Sequence, residues 1–172
     1  AVNTGHFDDP ADRQGMAHFL EHMLFLGTRT YPKPGEYQQF MSRHGGSNNA
    51  WTGTEFTNFF FDIDNGFFEA GLDRFSQFFI CPTFAPEWVD KERNAVDSEY
   101  RLKLQDDVRR GYQVHKETVN PDHPFSKFSV GNLDTLADLP GRDLRSDLIA
   151  FYETHYSADR MALVMISPAS ID

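Results

Sequence analysis

The chain has 172 residues, of which 40% are hydrophobic, and a formal net charge of −10 with an isoelectric point near 5.0. The length fits one globular domain with a sizeable core or at most two small domains, and the composition argues against overall disorder. The acidic balance argues against binding to nucleic acid or to an anionic membrane, since both reward clustered Lys and Arg. The single cysteine, Cys81, excludes an intrachain disulfide and a cysteine-rich zinc site, and we expect it to be a small buried hydrophobe.

The first half of the chain is predicted to hold two strand regions and three helices. Residues 1–5 look like a strand, and because the chain starts at Ala1 without a Met, we expect an upstream segment to have been removed. The aromatic and β-branched run at residues 49–63 predicts a strand, with Gly53 available for a turn or bulge. Apolar spacing, with Gly and Pro at the ends, predicts helices at residues 14–27, 36–44 and 67–80.

The second half is predicted to be mainly helical. Pro86 can open a long helix that runs to about residue 119, with Gly111 as the position where it could break. A loop at residues 120–131, an amphipathic helix at residues 145–156 and an apolar strand at residues 161–166 follow. Helices and strands do not alternate strictly, which favours an α+β fold with an antiparallel or mixed sheet packed against several helices.

Two histidines and a glutamate form the segment His18-Phe19-Leu20-Glu21-His22 in the first predicted helix. Residues four apart stack on one helix face, so the two imidazoles can converge on one point, while Phe19 and Leu20 point into the core. Catalytic zinc typically takes three protein ligands and leaves room for a water, which a nearby carboxylate deprotonates. The segment is the inverted form of the H-E-x-x-H motif, and it predicts a zinc site with Glu21 as general base. A histidine pair satisfied by hydrogen bonds is the alternative.

A third ligand must come from elsewhere, and the long helix offers two carboxylates. Its apolar stripe runs through Val89, Val96 and Leu102, and Glu92 and Glu99 continue that stripe. A buried carboxylate needs a cation or strong donors beside it, because burying it unpaired is costly. The two glutamates share one helix face, so one could ligate the metal while the other orients a histidine. Helix geometry leaves the assignment open, and for Glu92 an ordinary buried salt bridge remains the alternative.

The sequence resembles the insulysin and pitrilysin family of inverted-motif zinc peptidases over almost its whole length. The matching stretches are residues 15–31 (GMAHFLEHMLFLGTRTY), 46–58 (GSNNAWTGTEFTN), 94–100 (NAVDSEY) and 120–132 (NPDHPFSKFSVGN). The resemblance implies that Glu99 is the third zinc ligand and that Glu92 is the accessory glutamate. It also implies a fold like that of the N-terminal domain of pitrilysin-type enzymes.

The same resemblance implies a mode of substrate binding. Asn49, Ala50, Trp51 and Thr52 would form an edge strand on which an extended peptide pairs through main-chain hydrogen bonds, with Trp51 lining a pocket. An aromatic residue beside a strand is more often part of a core, and this alternative for Trp51 stays open.

Family enzymes are much longer, with two halves closing around a chamber, so we expect residues 1–172 to be a single truncated zinc-binding domain. The upstream strand and the C-terminal half would be absent, and the isolated chain would bind zinc better than it cleaves peptides. The expected partners are peptide substrates, the C-terminal half of the parent enzyme and, as a further option, a second copy in a homodimer. The compartment stays undetermined.

Two other functions compete with an endopeptidase of small and medium peptides. One is a processing peptidase of a related branch, against which the HPFSKF stretch at residues 123–128 speaks. The other is a non-catalytic scaffold domain, since some domains of such enzymes have lost their metal residues. The remaining histidines have no motif partner. His6 lies near the opening turn, and the others are expected to be ordinary surface or loop residues.

Overall fold

The computed structural model of the chain describes residues 1–168. In this part the chain forms six α-helices and one two-stranded antiparallel sheet, so the predicted α+β class is confirmed. Short 3-10 turns occupy His6–Asp8, Asn65–Phe67, Gln77–Phe79, Pro124–Ser126 and Ala158–Arg160. In chain order the longer elements are α1 (Met16–Leu24), α2 (Glu36–Arg43), β1 (Ser47–Thr52), β2 (Thr57–Asp62), α3 (Phe68–Ser76), α4 (Pro86–Leu102), α5 (Asp107–Thr118) and α6 (Leu144–His155).

Helix α1 lies in the middle of the core, and it is shorter than the predicted helix at residues 14–27. It starts after Gly15, which has a φ of 96°, and the buried Asp9 carboxylate accepts the N–H groups of Gly15 (2.7 Å) and Ala17 (2.8 Å). This contact supplies the capping that the first turn of a helix needs. As predicted, Phe19 and Leu20 are fully buried.

The predicted strand at residues 49–63 is a hairpin rather than one strand. β1 and β2 pair antiparallel from Ser47 opposite Asp62 to Thr52 opposite Thr57. The chain reverses between them, where the Gly53 N–H donates to the Phe56 carbonyl (2.8 Å). Among the described residues β2 is the single strand paired with β1, so the other edge of β1 is open.

The predicted long helix at residues 86–119 is two helices, and the expected break at Gly111 is wrong. The chain leaves helical structure after Leu102 and re-enters it at Asp107, because the Asp106 carboxylate accepts the N–H groups of Val108 and Arg109 and thereby starts a new helix. Gly111 lies inside α5. The position of Leu102 on the apolar stripe was also wrong, since this residue ends α4 with 80% of its surface exposed.

The two predicted terminal strands are reduced to isolated pairings. Val2 bridges Thr57 on one side and Met161 on the other. The Ala162 N–H donates to the Ala1 carbonyl (2.9 Å), but residues 163–166 have no ladder partner within the described part and are exposed. A strand forms only where a neighbouring backbone takes its N–H and C=O groups, so the strand predicted at residues 161–166 does not form here.

The hydrophobic core lies between α1, the hairpin and the later helices. A cluster of aromatic side chains joins α2, β2 and α3 and includes Tyr37, Phe59, Phe75 and Phe78. Cys81, expected in the core, is half-buried, and its thiol donates to Gln77 Oε1 (3.1 Å). None of the helices at residues 1–168 is both long enough and apolar enough to span a lipid bilayer.

Candidate metal centre

Helix α1 brings the two motif histidines together on its half-buried face. His18 Nε2 and His22 Nε2 lie 3.2 Å apart, and their rings meet edge to face with centroids 4.7 Å apart. This is the convergence that the four-residue spacing predicts. Two ring nitrogens at this distance compete for one shared proton or face one shared cation.

The other nitrogen of each ring is occupied by an acceptor from a different part of the chain. His18 Nδ1 lies 2.6 Å from the Val130 carbonyl, and His22 Nδ1 lies 2.7 Å from Glu92 Oε1. Because both acceptors carry lone pairs, each Nδ1 must donate a proton, so Nε2 carries the free lone pair of each ring whenever that ring is neutral. Both lone pairs therefore point to the same spot, as metal coordination requires.

Helix α4 adds a carboxylate to this spot. Glu99 Oε2 lies 3.5 Å from His18 Nε2 and 3.6 Å from His22 Nε2. These three side chains form the one group within residues 1–168 whose potential ligand atoms all lie within 4.8 Å of one another. Two imidazole nitrogens and one carboxylate oxygen are a donor set that catalytic zinc takes, so the residues present fit a zinc ion.

The electrostatics of the cluster favour a positive charge at its centre. Burial disfavours the imidazolium form of His22, but hydrogen bonds to Glu92 and Glu99 outweigh it and raise the pKa of His22 to about 9. Hydrogen bonds from His18 and His22 hold the pKa of Glu99 well below its usual range. The cluster thus stabilises one cation between the rings, whether that cation is a proton or a metal ion.

Glu21 lies on α1 beside the two histidines and is 8% exposed. The Thr52 hydroxyl, at the end of β1, donates to Glu21 Oε2 (2.5 Å). The motif glutamate is therefore fixed by a side chain from the hairpin and makes no ion pair in the described part of the chain.

The four predicted substrate-binding residues lie on β1, at the open edge of the hairpin. Asn49 and Trp51 are exposed, Trp51 by 46%, whereas Ala50 and Thr52 are half-buried. The Trp51 ring is not in the core; it packs edge to face on Phe56 with centroids 4.8 Å apart. Since the Thr52 side chain is hydrogen-bonded to Glu21, Thr52 also holds the motif glutamate in place.

A cavity of about 480 Å³ opens beside the cluster and has Glu99 in its wall. Its other walls come from the end of α4, from α5 and from the segment that follows α5, and they include Tyr100, Lys103, Tyr112 and Phe128. The size falls within the range of ligand pockets.

Some contacts that shape the centre carry no signal in the sequence. His18 is oriented by the Val130 carbonyl, a backbone atom, and a contact of this kind cannot be predicted from the type of residue at position 130. The hydrogen bond from Thr52 to Glu21 joins residues 31 positions apart, and sequence analysis placed Thr52 at the substrate instead. His6, assigned no partner, is buried and contacts Lys116 and Gly53.

This fold is that of a peptidase domain, and the chain belongs to the insulinase family (Peptidase family M16), whose sequence model matches residues 1–122. The chain is 48% identical to insulin-degrading enzyme of Bos taurus over 174 aligned residues, which cover 99% of the chain and 17% of that protein. It is 44% identical to the A-factor-processing enzyme of Saccharomyces cerevisiae, again over 99% of the chain and 17% of the relative.

A comparison with solved structures supports the same family. The fold matches the crystal structure of pitrilysin with a TM-score of 0.88 and 39% sequence identity, over 92% of this chain and 17% of that one. The predicted family resemblance and pitrilysin-like fold are therefore confirmed. The chain spans less than a fifth of the length of these relatives.

Proposed function

We propose that residues 1–172 are the zinc-binding catalytic domain of a metalloendopeptidase, with His18, His22 and Glu99 as the metal ligands. The observation that carries this proposal is the convergence of two Nε2 lone pairs, whose rings are fixed from behind by Val130 and Glu92, on one carboxylate. Two histidines that were merely satisfied by hydrogen bonds would not require both Nε2 atoms to face one carboxylate. This convergence is the arrangement of a first coordination sphere with its supporting contacts.

A zinc ion held by these residues would act as a Lewis acid on a peptide carbonyl and would make an attacking water acidic near neutral pH. Glu21 is the general base: its carboxylate takes the proton of that water and passes it to the leaving amine. The Thr52 hydroxyl holds Glu21 Oε2 and so fixes the direction in which the other oxygen points. Glu92 acts through His22, whose ring it orients, and is a positioning residue.

The open edge of β1 is the proposed docking strand for an extended peptide. Backbone groups of Asn49 and Ala50 would pair with the substrate, with Trp51 at its side. Thr52 is the last residue of β1 and contacts Glu21, so a peptide paired with this edge would lie next to the general base. The cavity beside Glu99 would then take a neighbouring substrate side chain.

We further propose that the chain acts as part of a longer enzyme whose C-terminal half completes the catalytic chamber. The relatives it matches are about six times longer and are named for the degradation of insulin and the processing of a-factor. Peptides of small to medium size are thus the proposed substrates, and the isolated chain is proposed to be weakly active. The intact set of His18, Glu21, His22 and Glu99 argues against a scaffold role.

The proposal is tested by Glu21→Gln in the full-length parent enzyme, with Glu55→Gln as the matched control on the exposed hairpin turn. Loss of a positioned general base lowers the rate by about 10²–10⁴-fold, so Glu21→Gln should lose peptide hydrolysis by that factor and keep its zinc. Glu55→Gln should keep both. A Glu21→Gln enzyme with a rate near that of the wild type would refute the assignment of the base.

A further inference from the structure

A buried lysine and a buried histidine meet under the hairpin, outside the metal centre. Lys116 of α5 is 1% exposed and His6 is 3% exposed. Lys116 Nζ lies 3.3 Å from His6 Nε2, and His6 Nδ1 lies 3.1 Å from the Gly53 carbonyl. The carbonyl can only accept, so Nδ1 donates to it, and Nε2 is left to accept from the lysine.

Lys116 also holds the segment that follows α5. Its Nζ donates to the Lys127 carbonyl (2.8 Å). Lys127 in turn donates from its own Nζ to the carbonyls of Phe7 (2.5 Å) and Asp9 (2.6 Å). The start of the segment formed by residues 127–131, here called the strap, is thus fixed to the opening turn of the chain by two lysines.

The far end of the strap reaches the metal centre. The Val130 carbonyl faces His18 Nδ1 at 2.6 Å, and the next residue, Gly131, packs against Gly15 at the start of α1. In the middle, the Phe128 N–H donates to Gln14 Oε1 (2.7 Å). Only two residues, Phe128 and Ser129, therefore separate the residue whose carbonyl Lys116 binds from the residue whose carbonyl orients His18.

The other end of the contact reaches the base. Gly53, whose carbonyl accepts from both the ring and the main chain of His6, directly follows Thr52 in the chain. Thr52 is the residue that donates to Glu21. One buried ammonium group thus connects the support of His18 with the support of Glu21.

The burial of Lys116 is costly and calls for a physical reason. It forms no ion pair within 4.0 Å among the described residues, and burial lowers the pKa of its ammonium group to about 8. A Met of similar length would fill the same space without this desolvation. What a Met cannot do is donate to two acceptors that belong to different segments.

We propose that Lys116 is a positioning residue for the metal centre, which it serves by fixing the strap and, through His6, the end of β1. This inference rests on the zinc site proposed above. Contacts that orient a metal-ligating histidine typically change metal affinity 10–100-fold when they are lost. Lys116 acts one contact further away, so we expect a loss of about tenfold, at the lower end of that range.

The test is titration of the 172-residue chain with Co²⁺ alone, followed by its d–d absorption, which reports ligand geometry. In Lys116→Met the affinity for Co²⁺ should fall about tenfold and the d–d spectrum should change. Phe75→Leu is the control for general loss of stability, since this residue packs in the aromatic cluster of α3. It should lower the thermal midpoint and leave both the affinity and the spectrum unchanged.

His6→Phe provides a second variant if Lys116→Met does not fold, because it keeps an aromatic ring of similar size and removes the acceptor of Lys116. It should change the spectrum in the same direction but to a smaller extent, because Lys116 keeps its contact with the Lys127 carbonyl. Wild-type affinity and spectrum in either folded variant would overturn the positioning role while leaving the zinc site intact. Failure of the wild-type chain itself to bind Co²⁺ would overturn both proposals.

Discussion

The two helices that carry the proposed zinc ligands are held in different ways. Helix α1, with both histidines, is buried on most sides, and it is capped by Asp9 and packed against the strap at Gly15. Helix α4 keeps one face in solvent, and 44% of the Glu99 side chain is exposed. The imidazoles are therefore fixed from the protein side, whereas the carboxylate approaches them from the open side.

Because of this difference, we expect changes in the two helices to have different effects on the stability of the chain and on its affinity for the metal. A change in the support of α1 should affect both, because the same contacts form the core and orient the histidines. A change in α4 near Glu99 should affect the metal and little else, since exposed side chains contribute little to the free energy of unfolding.

The largest expected effect is that of Gly15→Ala. A Cβ there would lie 2.3 Å from Gly131 Cα, at a φ of 96° that disfavours side chains. We expect a loss of about 3 kcal/mol in the free energy of unfolding, measured with urea, together with weaker zinc binding. The matched control is Gly35→Ala at the start of α2, which has a φ of 80° and open space around its Cβ. It should cost about 1 kcal/mol and leave zinc binding unchanged. Equal losses for the two variants would contradict the tight setting of α1.

Stability should fall in acid through His6. Burial, together with the charges of Lys116 and Lys127, lowers the pKa of this ring from 6.5 to about 4, despite the Gly53 carbonyl. Between pH 6.5 and pH 4 the His6 ring is therefore protonated in the unfolded chain but neutral in the folded chain. The stability that is present above pH 6.5 is lost as the pH falls towards 4. We expect this ring to account for about 2 kcal/mol of the loss. Urea midpoints of wild type and His6→Gln at pH 7 and pH 4.5 measure it; identical pH dependence in the two proteins would count against it.

On the α4 side, Glu92→Gln should lower zinc affinity about tenfold, because the amide oxygen still accepts from His22 Nδ1 but no longer supports its basicity with a full charge. The urea midpoint should change little. Competition with a zinc chelator gives the affinity. Asp90→Asn, two residues earlier on the same helix and exposed, is the control, and it should behave as wild type. A Glu92→Gln chain with unaltered affinity would leave this residue as an ordinary ion-pair partner.

The smallest expected effect is that of Thr52→Val, which removes the hydroxyl that donates a hydrogen bond to Glu21 and keeps the side-chain shape. We expect a reduction of about fivefold in kcat of the parent enzyme, in line with about 1 kcal/mol for one hydrogen bond, with unchanged zinc content. Thr54→Val in the hairpin turn is the control. A loss of zinc in Thr52→Val would mean that the hydroxyl supports the ligands rather than the base.

Much of the centre was accessible from the sequence because helix periodicity places side chains without any knowledge of the rest of the fold. The spacing of His18, Glu21 and His22 indicated their common helix face, and the spacing of seven positions from Glu92 to Glu99 placed both on one side of α4. The choice between the two glutamates came from the family resemblance. The structure places Glu99 near both Nε2 atoms and Glu92 at Nδ1 of His22.

What could not be predicted depends on partners distant in the chain or on backbone atoms. His6 and Lys116 are 110 positions apart in the chain, and neither residue type is usual in a core. The strand expected at residues 161–166 had the right composition, but pairing is decided by the neighbouring backbone and not by the strand's own residues. The break before α5 did carry a signal, since Asp106 is a good N-cap, and Gly111 was the weaker choice.

The central claim is that one carboxylate from α4 completes a zinc site begun by two histidines on α1. Zinc content of the purified 172-residue chain after dialysis tests it, with Glu99→Ala beside Glu117→Ala, an exposed glutamate in the wall of the same cavity. The account predicts one zinc per chain in the wild type and in Glu117→Ala, and a substoichiometric amount in Glu99→Ala. Equal zinc in the wild type and in Glu99→Ala would contradict it.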